Sequence, residues 1–86
     1  MKQTEKLLKA LANHRRLAIV VYLSRHDTAS VGVIAHEINL SFKATSRHLS
    51  VLRAADVLDR EQVNLFVHYR LHKPLQGIVR ATLLDL

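Results

Sequence analysis

The sequence predicts a mainly α-helical fold with one small β-hairpin, in the order α-α-α-α-β-β-α. Three observations carry that prediction. Apolar residues recur at three- and four-residue spacing through the first part of the chain, the period shortens between Leu58 and Leu71, and Pro74 separates that stretch from a last apolar segment. The 86 residues, 49% of them hydrophobic, suffice for one modest core. With two Gly, one Pro and no repeated or low-complexity stretch, the chain shows no linker, and a single domain over 1–86 is expected.

The elements follow in order. Leu7, Leu8 and Leu11 recur at helical spacing between Thr4 and Ala12, with Lys2, Lys6 and Lys9 elsewhere on the helix. Asn13 is placed to cap a second helix, which carries Leu17, Val20 and Val21 on one stripe and ends near Arg25, before the turn-like His26-Asp27-Thr28. Ser30 caps a third, in which Val31, Ile34, Ala35 and Ile38 follow the i, i+3, i+4, i+7 pattern while His36 and Glu37 point outward. Ser41 caps a fourth running to about Ala55, buried through Thr45, Leu49 and Leu52. The β-branched and aromatic residues of 58–63 and 65–71 predict two strands with Asn64 turning between them. Pro74 suits the start of a last helix, Leu75 to Leu86, striped by Ile78, Val79, Leu83 and Leu86.

Thirteen Lys and Arg against seven Asp and Glu give a formal charge of +6, which attracts polyanions without naming one. Position along the chain is more informative. The third and fourth helices, joined by Asn39-Leu40-Ser41, have the lengths and short turn of a helix-turn-helix, and the hairpin behind them makes the predicted fold a winged helix-turn-helix. On the fourth helix Lys43, Ser46, Arg47, Ser50 and Arg53 lie opposite Leu49 and Leu52, and no acid occurs between Glu37 and Asp56. A merely solvated face would mix signs.

The small side chains of Ala44, Ser46 and Ser50 allow close approach to a groove, and Arg47 suits a bidentate contact to guanine or a grip on phosphate. The wing adds Arg60 and Arg70, with Gln62 and Asn64 at its tip as donors to phosphate or to the minor groove, while Val67, Tyr69 and Leu71 close the core. The partner read from these residues is double-stranded DNA. The rival reading is a winged-helix adaptor whose basic helix touches an acidic protein or RNA and which shows no operator preference.

The segment LSFKATSRHLSVLRAADVLDR, followed by LFVHYRLHKP, resembles the winged-helix core of the ArsR/SmtB family of transcriptional repressors, and LLKALANHRRLAIVVYL is similar to that family's first two helices. The resemblance spans nearly the whole chain. It implies a homodimer joined through the first and last helices on a palindromic operator, and it places Ser46, Arg47 and His48 on the DNA-reading segment. Two departures stand out. Asp56 occupies a position where the family commonly has Gly. The family's metal sensors use a Cys pair before the reading helix, or Asp, His and Glu ligands on the last one; here there is no Cys, and the last helix offers only Asp85.

Six histidines invite a metal hypothesis, but their spacing argues against it. His68 and His72 flank one strand end, His26 with Asp27 sits in a loop, and His36 with Glu37 lacks an i+4 ligand partner; His14 and His48 read as helix-start or phosphate-side donors. No metal and no other cofactor is expected. No Ser-His-Asp ordering, Gly-rich phosphate loop or carboxylate pair supports catalysis, so a regulator rather than an enzyme is expected. Leu7, Leu8 and Leu11 together with Ile78, Val79, Leu83 and Leu86 exceed what one small core covers, which predicts a dimer interface built from the terminal helices. The charged start and the lack of an eighteen-residue apolar run predict a soluble, cytoplasmic protein without a membrane segment. Whether a small molecule or a protein acts as effector is left open by the sequence.

Overall fold

The structure, a computed structural model, describes residues 2–86. Its elements are α1 (Lys2–Leu11), α2 (His14–Arg25), β1 (Ala29–Ser30), α3 (Val31–Glu37), α4 (Phe42–Ala54), β2 (Leu58–Val63), β3 (Phe66–Leu71) and α5 (Gly77–Asp85). Helices and hairpin fall where the sequence predicts them, with two differences. The first is β1, which pairs antiparallel with β3 (Ala29 with Tyr69, Ser30 with His68) and turns the hairpin into a three-stranded sheet of order β1-β3-β2. Two residues carry no period, so this strand exists only through its partner.

The second difference is the late start of α5. Pro74 and Leu75 precede the helix, and Gln76 holds the N-cap position without a side-chain capping bond. The Gln76 amide is engaged elsewhere: Nε2 donates to the carbonyls of Ala55 (3.1 Å) and Asp56 (3.0 Å) at the end of α4. Leu75 is drawn against the core and helix geometry begins only at Gly77.

Local chemistry fixes the other helix ends. Asn13 Oδ1 accepts from the backbone N–H of Arg15 (3.0 Å) and Arg16 (3.1 Å), Ser30 Oγ from Val33 (3.2 Å), and Ser41 Oγ from Ala44 (3.1 Å). Both α3 and α4 end in a Schellman motif. In α3 the N–H groups of Leu40 and Asn39 return to the carbonyls of Ala35 and His36; in α4 those of Val57 and Asp56 return to Leu52 and Arg53. The motif needs a left-handed residue, supplied here by Asn39 (φ 54°) and Asp56 (φ 60°). Asp56 thus adopts the conformation for which Gly is usual, as short polar side chains do more readily than others.

The core gathers Ile19 and Val20 of α2, Ile34 of α3, Leu49 and Leu52 of α4, and Val57, Leu58 and Val79, all essentially inaccessible. On α2 the buried stripe is Ile19, Val20 and Leu23, with Val21 half-buried, a shift of the stripe from the one predicted. Thr45 is also fully buried, and its hydroxyl finds no hydrogen-bond partner among the described residues.

The same burial corrects the predicted dimer surface. Leu7, Leu11 and Val79 are 3%, 6% and 1% exposed and belong to the protomer's own core, because α1 packs on α2 and α4 and α5 packs on α2. Ile78 and Leu83 are half-buried against that core. Of the seven expected residues, Leu8 and Leu86 stand free, joined by Leu84, which is 83% exposed. No helix among the described residues is long and apolar enough to cross a membrane.

Candidate nucleic-acid interface

At about 100° per residue, the burial of Thr45, Leu49 and Leu52 turns Lys43, Arg47, Ser50 and Ala54 to the opposite side of α4. Lys43, Arg47, Ser50 and Arg53 are exposed. The predicted residues then divide between two flanks. On the flank facing the wing, Ser46 and Ser50 line a cleft of about 400 Å³ shared with Phe42, Arg60, Leu65 and Phe66. Arg53 lies further along, in a cleft with Asp56, Asp59, Arg60 and Arg70 at the root of the wing.

On the other flank, Ala44 and His48 are half-buried. The His48 Nδ1 lies 3.3 Å from Arg16 Nη1. A guanidinium only donates, so Nδ1 accepts and the neutral ring carries its proton on Nε2. Burial first, then the charges of Arg16, Arg15 and His14, lower the pKa of His48 from its ordinary value. His48 therefore serves the joint between α2 and α4 rather than the open face.

Two arginines that the sequence reading passed over hold the turn and α1 in place. Arg15 Nη1 donates to the carbonyls of Ile38 and Asn39, in the turn that follows α3. Arg16 donates through Nε to Ala10 O (2.6 Å) and through Nη2 to Lys9 O (3.2 Å), tying the end of α1 to the start of α2. These contacts span up to 24 residues of sequence and leave no periodic signal. Phe42, the first residue of α4, was also missed, although an aromatic directly after a Ser cap was visible in the sequence.

The hairpin pairs in register from Leu58 with Leu71 to Val63 with Phe66, leaving a two-residue turn of Asn64 (φ 58°) and Leu65. Gln62 Nε2 donates to Asn64 O at 3.4 Å, so its amide braces the turn. Tyr69 and Leu71 are buried and Val67 half-buried, the core-closing role expected of them. Arg70 sits 3.6 Å from Glu61, which offsets part of the wing's positive charge. The tip itself is apolar: Leu65 is 91% and Phe66 63% exposed.

The histidines are dispersed. His72 Nδ1 meets Asp59 Oδ1 at 2.9 Å across the sheet, and His26 stacks on Tyr22. Among the described residues no three His, Cys, Asp or Glu side chains lie together in a position to hold a metal ion.

Two capped helices at a tight turn, flanked by a hairpin packed on the same core, define a winged helix-turn-helix protein. The family described as bacterial regulatory protein, ArsR family, matches residues 13–60, more than half of the sequence, and the chain belongs to that family. It is a family of regulators, not of enzymes.

The chain is 39% identical over 62 residues to the nodulation protein NolR of Rhizobium meliloti, a match covering 72% of this chain and 50% of NolR. It is 32% identical over 77 residues to the arsenic resistance transcriptional regulator ArsR1 of Pseudomonas putida, covering 90% of this chain and 60% of that protein. The chain thus spans about half to three fifths of the length of these two relatives. Among solved structures it superposes with a TM-score of 0.86 on a homodimeric winged helix-turn-helix DNA-binding domain from Mycobacterium bovis, at 25% identity, over 98% of this chain and 75% of the other.

Proposed function

We propose that the chain binds double-stranded DNA sequence-specifically as a homodimer on a palindromic operator and acts there as a transcriptional repressor. The observation that carries this reading is the exposed face of α4: Lys43, Arg47, Ser50 and Arg53 stand free, without an acid between Glu37 and Asp56, on a helix whose start is capped and whose preceding turn is clamped. Arg47, at the middle of that face, reads a base edge or grips a phosphate, Lys43 and Arg53 take phosphates, and Ser46 and Ser50 allow close approach. Ala44 contributes through its small size at the first turn of the same helix. Arg60, Gln62 and Asn64 place the wing along the adjacent backbone. Two copies related by a two-fold axis set their reading helices about 34 Å apart, one turn of duplex, which is why the operator is palindromic.

The surface left for the partner is Leu8, Leu84 and Leu86, with the outer edges of Ile78 and Leu83, on the terminal helices. No metal enters the mechanism proposed.

The test is selection of duplexes from a random pool, followed by titration at fixed salt. Arg47→Ala lowers affinity for the selected duplex by about 1–3 kcal/mol while leaving folding intact. An undiminished affinity, or no enrichment of any sequence by the wild type, overturns the reading. Leu84→Glu, at a side chain the protomer core does not use, shifts light scattering toward monomer and weakens operator binding together; a dimer unaffected by it and by Leu8→Glu moves the interface elsewhere.

A further inference from the structure

We propose that Phe42 is a specificity-determining residue that reads the C5-methyl group of a thymine in the major groove; this rests on the DNA-binding reading above and adds a base identity to it. Phe42 is the first residue of α4, directly after the Ser41 cap, and the first residues of a reading helix are the ones that reach base edges. It is 62% exposed and belongs neither to the core nor to the residues packed against it. The greater part of the phenyl ring is therefore open to a partner.

The surroundings say what that is. Lys43 follows it, Arg47 lies within the same shallow groove, and Arg60 shares the cleft on the wing side. No acid occurs from Ile38 to Ala55. The same cleft holds the exposed Leu65 and Phe66 of the wing tip, so the ring belongs to an apolar surface bordered by cations, which fits a partner that is a polyanion and yet carries a compact apolar group. Duplex DNA is such a partner: in its major groove each base edge presents hydrogen-bonding groups, and thymine alone adds a methyl group. An RNA duplex lacks that methyl, and its major groove is too narrow for side chains to read. Ser46, one turn along on the same flank, leaves space beside the ring.

The experiment removes only the methyl group. In the duplex selected by the wild type, each thymine is replaced in turn by deoxyuridine, which keeps every hydrogen-bonding group, and binding is measured for the wild type, Phe42→Ala and Phe42→Leu. The expected result is one thymine per half-site whose loss of methyl weakens wild-type binding about fourfold, the effect of burying one such group. Phe42→Ala binds the thymine duplex correspondingly less tightly and shows no difference between thymine and uracil there, while Phe42→Leu retains part of it. Because the side chain is exposed, the melting temperature of Phe42→Ala matches the wild type.

The proposal is overturned if no thymine is sensitive in the wild type, if the sensitivity survives in Phe42→Ala, or if Phe42→Ala weakens thymine and uracil duplexes equally. A wild type that enriches no duplex fails earlier, at the reading on which this one rests, and removes both. A wild type that enriches a duplex with no sensitive thymine removes this one alone.

Discussion

The reading helix and the wing, the two parts of the proposed DNA face, are held in opposite ways. The segment from α3 to α4 is fixed at every joint: Ser30 and Ser41 cap the starts, Asn39 and Asp56 close the ends, Arg15 grips the turn, and Ile34, Leu49 and Leu52 are sealed in the core. The wing is anchored only at its root. From Arg60 to Phe66 every side chain is exposed, and the tip depends on ladder hydrogen bonds and the Gln62 brace. Contacts to base edges need tight positioning, whereas contacts to a repeating backbone tolerate adjustment. The tighter packing lies on the helix to which the proposed function gives the discriminating contact.

The sharpest way to break this contrast is to cut both regions. Leu49→Ala, which opens a cavity beneath the reading helix, costs about 2–5 kcal/mol of stability, and Leu65→Ser at the wing tip changes it by less than about 0.5 kcal/mol. Chemical denaturation of the two variants checks this, and similar losses would show the wing to be as integral as the helix.

A smaller effect tests the clamp. Arg15→Met keeps the aliphatic stem but leaves the Ile38 and Asn39 carbonyls without their charged donor, costing about 1–3 kcal/mol. It lowers affinity for the selected duplex more than affinity for random DNA. If the ratio of the two is unchanged, the turn is set without Arg15.

The smallest expected effect is pH dependence at the joint between α2 and α4. The His48 pKa lies below the 6.5 of a free imidazole, so as pH falls the unfolded chain takes up this proton first. The stability contributed by the neutral ring is complete above that value and is lost as pH falls through the lowered folded value. Between about pH 7 and pH 5 the wild type therefore loses more melting temperature than His48→Gln. Parallel curves would show that His48 does not sense the joint.

Caps and periodic stripes were the legible part of the sequence, because each depends on neighbours within one turn. Asn13, Ser30 and Ser41 cap the helices they were assigned to, and Thr45, Leu49 and Leu52 are the buried stripe of α4. What could not be read depends on distant partners. Ala29 and Ser30 are a strand only because Tyr69 and His68 lie beside them. Leu7, Leu11 and Val79 read as surplus apolar surface, since a sequence does not say whether a leucine faces its own core or a second chain. The basic stripe of α4 was legible, but its division into a wing flank and an α2 flank was not, because the contact that draws His48 aside comes from Arg16, 32 residues earlier.

The Gln76 side chain gives the molecule a shared joint. One amide nitrogen holds the carbonyls of Ala55 and Asp56, just past α4, and the next residue begins α5, whose Leu84 and Leu86 are exposed. Gln3 Nε2, from α1, reaches the same Ala55 carbonyl at 3.5 Å, so α1 and the start of α5 are both tied to the chain just beyond α4. The carboxyl end of α4 is thus a point where both ends of the chain converge, each through the amide of one glutamine.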